Sequence, residues 1–170
     1  GLPISLSGLY AGDESIETVF ENRDPRLRQT ILHPDDREYY NFGNSADFEY
    51  PRLTGMVGGE KSSTGYHIIK VYEVEAAYRS YNTSWTPAIT LRLAEALLNY
   101  AEAVAELGTI IQSDLDITIN ALRDRVGMPH LELTNIPDDP RYAGSGVSPL
   151  INEIRRERRV ELFMEGFRYN

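Results

Sequence analysis

The sequence predicts a mainly α fold: a tetratricopeptide-like helical hairpin with further helices, long loops and a short β element. Three observations carry that expectation. Between Thr90 and Gly127, apolar residues recur at helical spacing in two blocks separated by a turn; from Ser148 a Ser-Pro start leads into a charged helical pattern; and only Thr64 to Val74 alternates with the period of a strand.

Taken in order, Gly1 to Gly12 is small, polar and aperiodic. Ser15 to Phe20 suits one helical turn, and Asp24 followed by Pro25 is a good N-cap and first helical residue for a short helix. Thr30, Ile31 and Leu32 favour extended structure, and Pro34 then breaks the pattern. His33 to Gly59 is rich in acidic, amide and aromatic residues and reads as a long irregular loop. In Thr64 to Val74, Tyr66, Ile68, Lys70, Tyr72 and Val74 point one way and the residues between them the other. Tyr78 to Pro87 is a polar, aromatic approach to the hairpin.

In the first hairpin helix Leu93, Leu97, Tyr100, Val104 and Leu107 form an apolar stripe with Ala94, Leu98, Ala101 and Ala105 beside it, while Arg92, Glu95, Asn99, Glu102 and Glu106 should face water. Gly108 stops it. The second helix is expected to open at Ser113, with Asp116 completing a capping-box-like start, and to end at Gly127 and Pro129. The alanines let another helix come close, so the pair wants neighbours. On periodicity alone one repeat-like hairpin is visible, and a tetratricopeptide-type scaffold for protein partners is one reading of it.

The last helix should start at Ser148 and Pro149 and run past Phe163. Its Glu153, Glu157, Glu161 and Glu165 are like charges at four-residue spacing, which is unfavourable in an isolated helix. At three-residue spacing Arg158 meets Glu161, and Arg158 shares a row with Ile151 and Ile154. We therefore expect Arg158, Glu161, Glu157 and Glu165 to belong to a structural ion network.

Composition narrows the function. The 170 residues are 41% hydrophobic and 25% charged, as a globular chain is, and a net charge of −9 argues against nucleic acid as partner. There is no cysteine, hence no thiolate nucleophile or Cys-ligated zinc, and His33, His67 and His130 are scattered, so no metal or cofactor is expected. No apolar run is long enough to span a membrane. No nucleophile elbow or phosphate-binding loop occurs, so no catalytic residue is assigned. The aromatics stand out instead: 11 Tyr, 5 Phe and 1 Trp. Among those in irregular segments, Trp85, Tyr81, Tyr39 and Tyr40 are the candidate ligand-binding residues, because flat rings stack on the apolar face of a pyranose. Trp85 has a second reading, as an anchor that tucks the linker onto the hairpin.

Five stretches in order resemble the RagB/SusD family of glycan-binding lipoproteins of the Bacteroidetes outer membrane. They are Arg23-Asp24-Pro25-Arg26-Leu27 with Thr30 and Ile31; Thr64-Gly65-Tyr66 with Lys70; Leu91-Arg92-Leu93-Ala94-Glu95 with Leu98 and Tyr100-Ala101-Glu102-Ala103; Ile119-Asn120 with Leu122-Arg123 and Gly127-Met128-Pro129; and Leu150-Ile151 with Ile154-Arg155, Glu157-Arg158-Arg159, Glu161-Leu162 and Glu165-Gly166-Phe167-Arg168. The resemblance implies a mostly helical fold and non-catalytic capture of oligosaccharide at the cell surface. It also implies a TonB-dependent, SusC-like transporter as partner, and membrane attachment only through a lipid anchor outside this stretch. Residues 1–88 are expected as a loop-rich segment and 89–170 as the hairpin plus the Arg/Glu-rich helix, together one compact unit from the later part of a larger protein.

Overall fold

In the computed structural model, residues 6–36, 64–72 and 89–167 are described. The fold is mainly α, as the helical periodicity requires, and the chain divides into two compact units. One contains residues 1–10, 24–26 and 89–170, the other 11–23 and 27–88.

The first unit is built on the hairpin. Helix α3, Leu93–Glu106, buries Ala94, Leu98, Ala101 and Ala105, while Leu93 and Leu107 stay exposed. Periodicity favours the row of larger side chains, yet the helix turns its smaller row inward. Alanines admit neighbouring backbones that leucines would hold off, so the tighter packing is made through the small row. Gly108 takes a φ of +68°, and the amides of Gly108 and Thr109 donate to the carbonyls of Ala105 and Val104 at 3.0 and 3.2 Å. That left-handed C-cap ends the helix as the glycine predicts.

The second hairpin helix differs from its expected form in two ways. It opens at Gln112, where the Asp114 carboxylate accepts the Ile111 amide at 3.0 Å, so the cap falls at Ile111 rather than Ser113. It also passes from α4, Gln112–Leu115, through a π segment, Asp116–Asn120, into α5, Ala121–Asp124. The Thr118 hydroxyl donates to the Asp114 carbonyl at 2.5 Å inside this widened turn. A hydroxyl bonded back to a carbonyl one turn earlier competes with the helical amide for that acceptor. The widened turn contains fully buried Asn120, which accepts the Leu131 amide at 2.6 Å and donates to the Leu131 carbonyl at 3.2 Å. The loop after the hairpin is thereby pinned to its second helix.

Helix α6, Pro149–Glu161, begins as the sequence predicts, with the Ser148 hydroxyl accepting the Ile151 amide at 3.2 Å and Pro149 in the first turn. It ends at Glu161, short of the expected run past Phe163, and Met164 and Gly166 follow at φ +63° and +82°. Leu98, Leu115, Ile119 and Ile154 are fully buried aliphatic side chains of the shared core, each contributing about 1.5 to 3 kcal/mol on burial.

In the second unit, α1, Ile16–Phe20, is closed by a reciprocal cap between Ser15 and Thr18. Helix α2, Arg26–Thr30, opens the next stretch; its first residue belongs to the first unit and the rest to the second. The expected strand from Thr64 to Val74 shrinks, among the described residues, to one antiparallel bridge between Ile31 and Ile68. The amides of Leu32 and Ile69 donate to the carbonyls of His67 and Thr30 at 2.8 and 2.9 Å. The chain then turns, the Tyr72 amide donating to the Ile69 carbonyl at 2.9 Å with Val71 at φ +62°. A left-handed β-branched residue does not have strand geometry, so the extended run is interrupted at Val71. Residues 73 and 74 lie outside the described part.

Candidate functional site

The four aromatic candidates, Trp85, Tyr81, Tyr39 and Tyr40, lie outside the described residues. The first unit does show a charged centre around α6. Glu153, Glu157 and Glu161 are buried together with Ile151 and Ile154, although glutamates at four-residue spacing repel one another. Guanidinium groups from other elements offset that repulsion.

From the Asp24-Pro25-Arg26 start, Arg26 donates through Nε and Nη2 to the Asp24 carboxylate at 2.9 and 2.6 Å and through Nη1 to Glu161 at 3.1 Å. The same Nη1 stands 2.6 Å from Glu157 Oε1, an ion pair without hydrogen-bond alignment. From the end of the hairpin, Arg123 bonds Glu157 and Glu153 at 3.1 and 2.8 Å and the Pro129 carbonyl at 3.1 Å. Arg92, at the N-cap of α3, bonds Glu161 at 2.7 Å and holds Glu165 with two donors at 2.6 and 2.8 Å. Arg125 reaches Glu161 at 2.9 Å, and Arg156 of α6 itself bonds Glu153 at 2.8 Å and Glu157 at 3.1 Å.

Among the described residues, Arg26, Arg92, Arg123, Arg125 and Arg156 therefore face Asp24, Glu153, Glu157, Glu161 and Glu165. Burial alone would raise the pKa values of Glu153 and Glu161, and the bonded arginines outweigh it. Glu153 is lowered from 4.5 to about 2, mainly by Arg156, and Glu161 is lowered by Arg92 and Arg26. Burial alone would lower the pKa of Arg26, yet Asp24 and Glu157 raise it. These directions limit the chemistry of the centre. Glu153 and Glu161 are held ionised and cannot serve as a general acid, and each arginine is already engaged by carboxylates.

Arg158 departs from the expectation. Rather than meeting Glu161, its Nε donates to Glu102 at 3.1 Å and its Nη2 to Asn99 at 2.8 Å, and its side chain is 22% exposed. Arg155 joins it through Glu102 at 2.8 Å and Glu106 at 2.9 Å. The reason is helical geometry: one residue past Glu157 the side chain is turned by about 100°, toward α3 and away from the buried row. Of the α3 residues assigned to water, Asn99, Glu102 and Glu106 thus form a polar seam with α6. Sequence reasoning missed Arg26, Arg92 and Arg123 as members of the centre. The signal was present in the run Glu153, Glu157, Glu161, since like charges on one buried row require cations from elsewhere in the fold.

Beyond α6, Phe163, Met164 and Phe167 line a surface groove with Arg158 and Arg159. No helix among the described residues is long and apolar enough to cross a membrane.

The chain belongs to the SusD family, whose pattern it matches over residues 9–170. A SusD-like carbohydrate-binding protein from Bacteroides fragilis NCTC 9343 is similar at 29% identity and a TM-score of 0.66, over 96% of this chain and 30% of that one. A second SusD-like protein from the same organism is 30% identical with a TM-score of 0.61, over 86% of this chain and 27% of that one. The chain therefore spans less than a third of the length of either solved structure. No curated protein matches it.

Proposed function

We propose that this chain is part of a non-catalytic glycan-binding protein at the bacterial cell surface, which hands oligosaccharide to a SusC-like, TonB-dependent transporter in the outer membrane. Family membership over residues 9–170 carries the proposal, supported by a similar structure that is a carbohydrate-binding protein. The charged centre agrees with it. A buried ion network supports a rigid scaffold, and its Glu153 and Glu161 offer no proton for glycosidic cleavage.

In this reading the protein is a lipoprotein, anchored by a lipid outside these residues, and binding requires no cofactor. Sugar stacks on aromatic rings mounted beside rigid helices. Trp85 and Tyr81 precede α3 closely in sequence and are the first choice, with Tyr39 and Tyr40 second. A glycan array probed with the complete gene product tests the proposal: retention on at least one oligosaccharide class is expected. Retention on none of the array would overturn it. Co-purification with the transporter from solubilised outer membranes tests the partner separately.

A further inference from the structure

Of the α6 arginines, Arg155 and Arg158 hold Glu102, and Arg156 holds Glu153 and Glu157. Arg159 differs from them. Among the described residues it meets no carboxylate: its Nη2 donates to the Tyr142 hydroxyl at a long 3.4 Å, and the residue is exposed. It lies on the wall of the groove beyond α6, a cavity of about 560 Å³ whose apolar lining is Leu162, Phe163, Met164 and Phe167. That lining is held in place. Between its rings, Glu165 accepts two donors from Arg92 at 2.6 and 2.8 Å, and its amide donates to the Leu162 carbonyl at 3.1 Å.

Resting on the glycan-binding reading above, we propose that this groove takes an acidic sugar, a uronate unit of an oligosaccharide, with its carboxylate on Arg159 and the apolar face of a pyranose on Phe163 or Phe167. The cavity lies in the range of small-ligand sites, roughly 300 to 1,000 Å³. Phenyl rings supply stacking area and no polar group, so they recognise the face of a sugar ring and leave its charge to a cation. A guanidinium is suited to that role, because its planar fork matches a carboxylate with two parallel hydrogen bonds. The nearby carboxylates do not oppose an anion, since Glu102 is held by Arg155 and Arg158 and Glu165 by Arg92. The chain's net charge of −9 acts weakly here, because at physiological salt exposed charges beyond about 8 Å are largely screened.

Calorimetric titration of the complete gene product tests this, with oligomers of galacturonate, glucuronate and mannuronate, each beside its methyl ester, which keeps the rings and removes the charge. At least one acid should bind, with its ester roughly tenfold or more weaker, as for a lost charge-assisted hydrogen bond. Arg159→Gln should bring that acid down to the affinity of its ester at an unchanged urea midpoint, and Phe167→Ala should weaken both forms. An acid bound no better than its ester, or a preference that survives Arg159→Gln, overturns the acidic-sugar assignment. So does a lowered urea midpoint with acid binding intact, which would make Arg159 the partner of a carboxylate elsewhere in the protein. Binding of neutral oligosaccharides alone overturns this assignment and leaves glycan binding standing, whereas binding of none overturns both. If Arg159→Gln does not fold, Arg159→Lys reads the same point: charge without the fork should lose part of the preference for the acid, and a preference kept in full would count against the assignment.

Discussion

Arg26 and Arg158 both lie in family-like motifs, yet their surroundings give them different weight. Arg26 is buried between Asp24, Glu157 and Glu161. Its replacement by Ala strands buried carboxylates, although Arg123 and Arg156 still face Glu157. A loss of about 3 kcal/mol, the low end for a broken buried pair, is expected in urea unfolding. Arg158→Ala should lose about 1 kcal/mol or less, because Glu102 keeps Arg155 and the pair is partly solvated. Equal losses for the two variants would contradict this assignment. At Trp85, replacement by Ala separates the two readings of that ring. As a stacking platform it would lose about 1 to 3 kcal/mol of glycan affinity at nearly unchanged stability. As an anchor it would lose about 3 to 5 kcal/mol of folding free energy instead.

At the scale of elements, the π segment carries the sharpest prediction. Asn120→Ala removes the buried side-chain amide that bonds both the amide and the carbonyl of Leu131. The carbonyl keeps Gln112 as a donor at 3.0 Å, so the loss falls on the Leu131 amide. Stability should fall by about 1 to 3 kcal/mol, and hydrogen exchange at that amide should quicken more than at core amides of α3. Unchanged exchange at Leu131 would show that the loop is held by other contacts. The existence of the hairpin and of α6, with the caps at Gly108 and Ser148, was legible because glycine and Ser-Pro signals act locally. The inward row of α3 was not, since both rows are apolar and the choice depends on how closely the neighbouring helices approach. Nor was the π turn, which contains a Thr118 side-chain bond that helical periodicity does not encode. Of the charged centre, the acidic row was readable, but its partners lie up to 135 residues away in sequence.

For the whole molecule, the buried charged centre predicts an acid limit to stability. The folded pKa values of Glu153, Glu161 and Asp24 are lowered, so the unfolded chain takes up protons first as pH falls. Their stabilisation is complete above the ordinary carboxylate range near 4.5 and is lost on the way to about 2, the Glu153 value. Urea midpoints should therefore decline between these limits, and a flat profile there would place the carboxylates outside the folding equilibrium. Salt should change the midpoint little, because buried pairs are poorly screened.

The central claim, binding without turnover, is tested most directly by calorimetric titration of the complete gene product with an oligosaccharide selected on the array, followed by mass analysis of the sugar. The account predicts heat that saturates with added ligand and oligosaccharide recovered at its original length. Continuing heat with shortened products would contradict it.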